Sequence, residues 1–189
     1  MAFRRSNPNK TYDEPALYDY AVRALGRRMR TVAELKRLMR TKVGKQDDGM
    51  ALMERVVERL KQQRYLNDTQ YATSYSGFRK DNEKFGRRRV VQDLKVKGVH
   101  ADVIEKVIGE TYEGVDEEQL ARQYLHRKRL KKPNDQKETA RVFRALVRAG
   151  FSTRAIIGVL KKWDVEDETL SELEQERLAS EDQIEVDEE

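Results

Sequence analysis

Val90-Val91-Gln92-Asp93-Leu94-Lys95-Val96-Lys97-Gly98-Val99-His100-Ala101-Asp102-Val103-Ile104 returns 52 residues further on as Val142-Phe143-Arg144-Ala145-Leu146-Val147-Arg148-Ala149-Gly150-Phe151-Ser152-Thr153-Arg154-Ala155-Ile156. In both copies two apolar residues four apart share a helix face, and a glycine follows four residues later. That glycine can take the left-handed conformation that ends a helix, and the apolar residue after it fits the contact of a Schellman motif. Each copy therefore encodes helix, stop, helix. A fainter third copy lies earlier, where Leu35 and Leu38 take the places of Val91 and Leu94 and of Phe143 and Leu146, and Met53, Val56, Val57 and Leu60 follow. Three similar helical units in a row organise the chain.

The flanks fill in the remaining helices. Leu17, Tyr20, Ala21, Ala24 and Leu25 form the stripe of an amphipathic helix, with Asp13 as cap, Pro15 in the first turn and Gly26 as its end. Thr31 and Glu34 make a capping box for the next helix, a polar loop spans residues 41–48, and a third helix runs from about Gly49 to Gln63. Tyr65, Leu66, Asn67 and Asp68 read as a hinge in which Asp68 caps the following helix while Tyr65 and Leu66 pack behind it. Tyr71, Ala72, Tyr75 and Phe78 write that helix; Leu120, Ala121, Tyr124 and Leu125 write its counterpart, and Trp163 closes the last core. The tyrosines at helical spacing, Tyr71 and Tyr75, read as core packing rather than as base-stacking platforms. The expected fold is all-α, three tandem three-helix, helix-turn-helix-like repeats in an elongated, curved array. Its divisions are a basic flexible N-terminus (1–13), repeats at 14–66, 67–112 and 113–164, and an acidic tail (165–189).

With 38% hydrophobic and 39% charged residues, the chain can bury a modest core per repeat but no deep central one. It has no cysteine, so disulfides and thiolate metal sites are excluded, and no apolar run approaches a membrane span. The first ten residues carry no signal-like apolar core, and the expected location is cytoplasmic. The net charge of +5 hides an asymmetry: residues 164–189 hold 13 acidic residues and one basic residue, Arg177, leaving 38 basic and 21 acidic residues before them. A body so positive attracts polyanions. The tail, helical around Leu170, Leu173 and Leu178 and mobile at its end, reads as a solubilising, solvated extension, and the sharper alternative is that it folds back on that body as a mimic of the phosphate backbone.

No sequence signature of a catalytic apparatus is present. His100 and His126 stand apart from one another, and there is no zinc-protease, phosphate-loop or nucleophile-elbow pattern, so no catalytic residue, metal ligand or cofactor is expected. The basic clusters are the candidate contact sites. Arg79, Lys80, Lys84, Arg87, Arg88, Arg89, Lys95 and Lys97 gather about the second repeat, with Gly86 placed to begin a helix whose N-terminus would offer both backbone donors and charge to phosphate. Arg127, Lys128, Arg129, Lys131 and Lys132, preceded by Arg122, stand in the corresponding region of the third repeat. Arg27, Arg28 and Arg30, flanked by Arg23, Lys36, Arg37 and Arg40, stand in that of the first.

Tyr65-Leu66-Asn67-Asp68 leading into Tyr71-Ala72, then Phe85-Gly86-Arg87-Arg88-Arg89, then Leu94-Lys95-Val96-Lys97-Gly98-Val99 resembles the RecX family of recombinase regulators, in order and in spacing. The resemblance covers about Ala16 to Trp163; the N-terminal extension, the longer loop at residues 42–49 and the acidic tail depart from the family pattern. It implies a protein that binds the RecA recombinase and its filament on single-stranded DNA, modulating and usually suppressing ATP hydrolysis, strand exchange and filament growth; separately, a monomer is expected. DNA repair, recombination and the SOS response would be affected. Direct DNA contact would be weak and no cofactor would be needed. Two other readings stay open at this point: a general nucleic-acid-binding helical protein without a recombinase partner, and a structural helical adaptor. Salt dependence separates them, because binding through phosphates alone weakens steeply as salt rises.

Overall fold

The structure, a computed structural model, describes residues 11–44 and 46–186, with side chains through Ala179. The expectations of a flexible basic N-terminus and of a mobile acidic end fall largely on residues outside this range. The described residues form helices α1 (Glu14–Arg27), α2 (Val32–Val43), α3 (Gly49–Gln62), α4 (Asp68–Asp81), α5 (Arg87–Val96), α6 (Ala101–Thr111), α7 (Glu117–Arg127), α8 (Gln136–Arg148), α9 (Thr153–Lys161) and α10 (Asp167–Val186). The fold is an all-helical repeat fold. It divides into two compact units: one runs to Thr73 and adds Leu94–Ile104, the other holds Ser74–Asp93 and the chain from Glu105 on. The division passes through α4, α5 and α6, each of which supplies residues to both units.

In the first unit α1, α2 and α3 pack on one another around Leu17, Ala21, Leu35, Met39, Leu52, Met53, Val56 and Leu60. Asp13 accepts from the Ala16 amide at 2.9 Å to start α1, with Pro15 in the first turn. Thr31 and Glu34 form the reciprocal capping box that starts α2. Several expectations are corrected here. Gly26 does not end α1, which continues through Arg27. Residues 41–43 belong to α2 because Val43 is buried in the core, so the loop begins at Gly44. Asn67, not Asp68, caps α4, accepting from the Gln70 amide at 2.9 Å. Asp68 accepts instead from the Val32 amide at 2.9 Å, one of the unpaired donors at the start of α2. Burial pushes the Asp68 carboxyl above its ordinary range, against that hydrogen bond and the nearby Lys61. Tyr65 is exposed rather than packed, as is Phe78 in the second unit, while Leu66 is buried as expected.

The predicted glycine stops are present. The Val99 amide donates to the Leu94 carbonyl and the Gly98 amide to that of Lys95, with Gly98 at φ +75°. Phe151 to Leu146 and Gly150 to Val147 repeat the pattern. The end of α3 uses the same motif with Arg64 at the left-handed position, φ 61°. A non-glycine residue there is disfavoured by about 1–2 kcal/mol. Arg64→Gly is therefore expected to raise the thermal midpoint by a few degrees in a calorimetric melt.

The second unit has its core between α7, α8 and α9, where Leu120, Tyr124, Leu125, Phe143, Leu146, Phe151, Ile156 and Leu160 are buried, with Trp163 packed against them as expected. α10 closes this core with Leu170 and Leu173. The tail therefore starts as a packed helix, tied by the Lys161–Asp167 ion pair at 2.8 Å, by Gln136 donating to Glu172 at 3.0 Å and by Arg177 donating to Thr153. Leu178, further along α10, is exposed.

Candidate nucleic-acid and partner interface

In the second unit α4 ends at Asp81, and Lys84 in the loop after it, with a φ of 60°, turns the chain so that Phe85 enters the core against Tyr124, ring centroids 5.8 Å apart. Gly86 follows, pressed onto the turn between α8 and α9. Its amide donates to the Ala149 carbonyl at 2.9 Å, and the Arg88 amide donates to the Gly150 carbonyl at 3.2 Å. A Cβ on Gly86 would lie 2.5 Å from the Gly150 carbonyl carbon, and one on Gly150 would lie 2.5 Å from Arg89 Cβ. The first amides of α5, expected as phosphate donors, are thus partly committed to the protein itself. What α5 presents to a ligand is side-chain charge.

Asp93, one turn below, sorts the arginines. Its carboxylate accepts from Arg89 Nε at 3.0 Å, from Arg79 Nη2 at 2.7 Å and from the Tyr75 hydroxyl at 3.0 Å. Arg79 also lies over the Phe85 ring at 4.3 Å, and only 18% of its side chain is exposed, so it is a structural cation. Lys80 donates to the Thr111 carbonyl at the end of α6, 3.0 Å away. The Tyr112 hydroxyl donates to the Phe85 carbonyl at 2.8 Å, and burial pushes its pKa well up. Arg127 faces Glu83 at 3.7 Å and Lys128 lies 5.8 Å from the Tyr124 ring centroid, whose hydroxyl burial also raises. Lys132 holds Asp164 at 2.8 Å and draws that carboxyl below its ordinary range. Arg87, Arg88, Arg129 and Lys131 are exposed, Lys84 is half-buried, and none of the five makes an ion pair among the described residues. The network between Asp93 and its partners was absent from the sequence reading; the i, i+4 spacing of Arg89 and Asp93 was the one local sign of it.

In the first unit the N-terminus of α2 rests on the turn between α5 and α6 in the same manner. The Thr31 hydroxyl donates to the Lys97 carbonyl at 2.7 Å, and a Cβ on Gly98 would overlap the Ala33 side chain. Arg30 Nε donates to the Ala24 carbonyl at 3.3 Å. Lys97 meets Glu34 at 3.4 Å and lies over the Tyr71 ring; burial opposes its charge, but Tyr71 and Glu34 outweigh burial and raise its pKa. Arg27, Arg28 and Lys95 are exposed. His100 and His126 are exposed too, His100 beside Asp102 at 3.3 Å. Among the described residues no His/Cys/Asp/Glu group could hold a metal ion, and no helix is long and apolar enough to cross a membrane.

Residues 67–108, the stretch carrying Asn67, Gly86, the arginine triplet and Gly98, match the family pattern described as RecX, second three-helix domain. The Regulatory protein RecX of Myxococcus xanthus is 31% identical over 165 residues, covering 80% of this chain and 83% of its own length. The chain belongs to the RecX family. The RecX of Mycolicibacterium smegmatis is 33% identical over 148 residues, covering 76% of each chain. The crystal structure of RecX from Lactobacillus salivarius superposes with a TM-score of 0.61 over 80% of this chain and 96% of that one, at 20% identity. It shows the same fold.

Proposed function

We propose that this protein is a non-catalytic regulator of the RecA recombinase, which binds the filament that RecA forms on single-stranded DNA and lowers its ATP hydrolysis, strand exchange and growth. The observation that carries the reading is the set of exposed, unpaired cations, Arg87 and Arg88 at the start of α5 and Arg129 and Lys131 after α7, in a family whose curated members are named regulatory proteins. Binding energy alone accounts for such regulation, since a ligand shifts an equilibrium by its differential affinity for two states. The charge of these side chains supplies attraction to the DNA-bearing filament without sequence preference. In the same reading the acidic residues beyond Ala179 compete with DNA for the cations. A truncation that probes this should stop there, since cutting at Glu166 removes Leu170 and Leu173 from the core.

The test is RecA ATP hydrolysis on single-stranded DNA with and without this protein. A fall in the hydrolysis rate as the protein is added is expected; a rate unchanged at excess protein rejects the regulatory reading and leaves general nucleic-acid binding as the alternative.

A further inference from the structure

Beside the free arginines of α5, the second unit holds a half-enclosed pocket of about 260 Å³, walled by Tyr112, Val115 and Leu120 and rimmed by Arg87 and Arg88. Its remaining wall is polar but already satisfied. Glu117 accepts from the Ser152 amide at 2.7 Å and from the Ser152 hydroxyl at 2.6 Å, so the start of α9 is occupied by a carboxylate of the protein. The α5 amides of Gly86 and Arg88 are committed to Ala149 and Gly150.

Three properties define the occupant. A phosphate entering the pocket meets no free amide of Gly86, Arg88 or Ser152, and it meets the fixed negative charge of Glu117, which repels it. The side walled by Tyr112, Val115 and Leu120 is apolar, so water leaves it favourably when a hydrocarbon group enters. The space suits one or two side chains rather than a cofactor-sized ligand. Two guanidiniums at the rim, against one carboxylate within, attract carboxylates that flank such an apolar group.

We infer that this pocket is a protein-docking site, taking an apolar side chain flanked by acidic residues from a protein subunit of the filament rather than a phosphate of its DNA. The inference rests on the regulatory reading above and assigns its protein contact to a place: Val115 and Tyr112 grip the anchor while Arg87 and Arg88 hold its acidic neighbours. The same arginines remain available to DNA in the absence of the protein partner.

The experiment compares binding of the full chain to RecA filaments on a dT oligonucleotide with binding to the bare oligonucleotide. Val115 is half-buried at the pocket wall, so Val115→Glu places a charge on the docking surface and Val115→Trp fills the space without charge. Both variants are expected to weaken filament binding by about tenfold, the effect of losing a buried interface anchor, and the uncharged Val115→Trp is expected to change oligonucleotide binding less than about twofold. Val115→Ile should behave as wild type, and thermal melts check folding. Wild-type filament affinity in both folded variants, or equal losses on filament and oligonucleotide, overturns the inference while leaving the regulatory reading intact. A wild-type chain that ignores filaments altogether overturns both.

Discussion

Gly150→Ala is expected to lower the melting temperature by about 10 °C, a large effect for a single methyl group. Gly150 has φ +89°, where an L side chain costs about 1–2 kcal/mol. The added Cβ would also lie 2.5 Å from Arg89 Cβ and 2.8 Å from Arg89 Cα, backbone-proximal atoms that cannot swing aside. Relief requires α5 to lift from the turn between α8 and α9, breaking the Gly86–Ala149 and Arg88–Gly150 hydrogen bonds. Each contributes about 1 kcal/mol, so the total reaches about 3–5 kcal/mol. Gly158→Ala is the control. The nearest atoms to its Cβ belong to the flexible carboxylate of Glu118, and Gly158 sits inside α9, where alanine is favoured over glycine by up to about 1 kcal/mol. Calorimetric melts of the two variants should therefore move in opposite directions.

The double substitution Arg87→Ala/Arg88→Ala is expected to weaken binding to a dT oligonucleotide by about tenfold at low salt. It should also reduce the slope of log affinity against log salt by about 1.4, or about 0.7 for each lost single-strand phosphate contact. Melting should change little, because both side chains are exposed and outside every ion pair of the described residues. Arg79→Ala should do the reverse. It removes a mostly buried guanidinium from Asp93 and Phe85, so stability falls and the salt slope stays within error of wild type. Fluorescence anisotropy across a salt series reads the first effect, and melts read the second. Equal salt slopes for all three proteins would place the DNA contact elsewhere.

The repeat was legible because helix geometry writes itself locally. The stripes, the Thr31 capping box and the glycine stops at Gly98 and Gly150 all follow from residues within a few positions of one another. What stayed hidden depends on residues far apart in sequence. Gly98 and Gly150 read as helix ends, yet they also admit the N-terminus of another helix, of α2 and α5 respectively, at a distance no side chain allows. Asp68 read as the cap of its own helix, but a neighbouring helix start, at Val32, claims its carboxylate and Asn67 takes over the local role. The tail read as solvated acid, and the spacing of Leu170 and Leu173 was the sign that its first turns are core. The site was legible as a class of residue rather than as a surface. Composition places cations near Gly86, but it cannot say that Arg79, Lys80 and Arg89 serve Asp93 and the Thr111 carbonyl while Arg87 and Arg88 stay free. Glu117 and Val115, which shape the neighbouring pocket, carry no motif at all.

The most direct test of the account is binding of the full chain, by anisotropy or cosedimentation, to three targets at low and at physiological salt: RecA alone, a dT oligonucleotide alone, and the RecA filament assembled on that oligonucleotide. Tighter binding to the filament than to either component, persisting when salt has removed the oligonucleotide complex, is the predicted result. An affinity for the filament that merely tracks that for bare DNA at every salt concentration would contradict it.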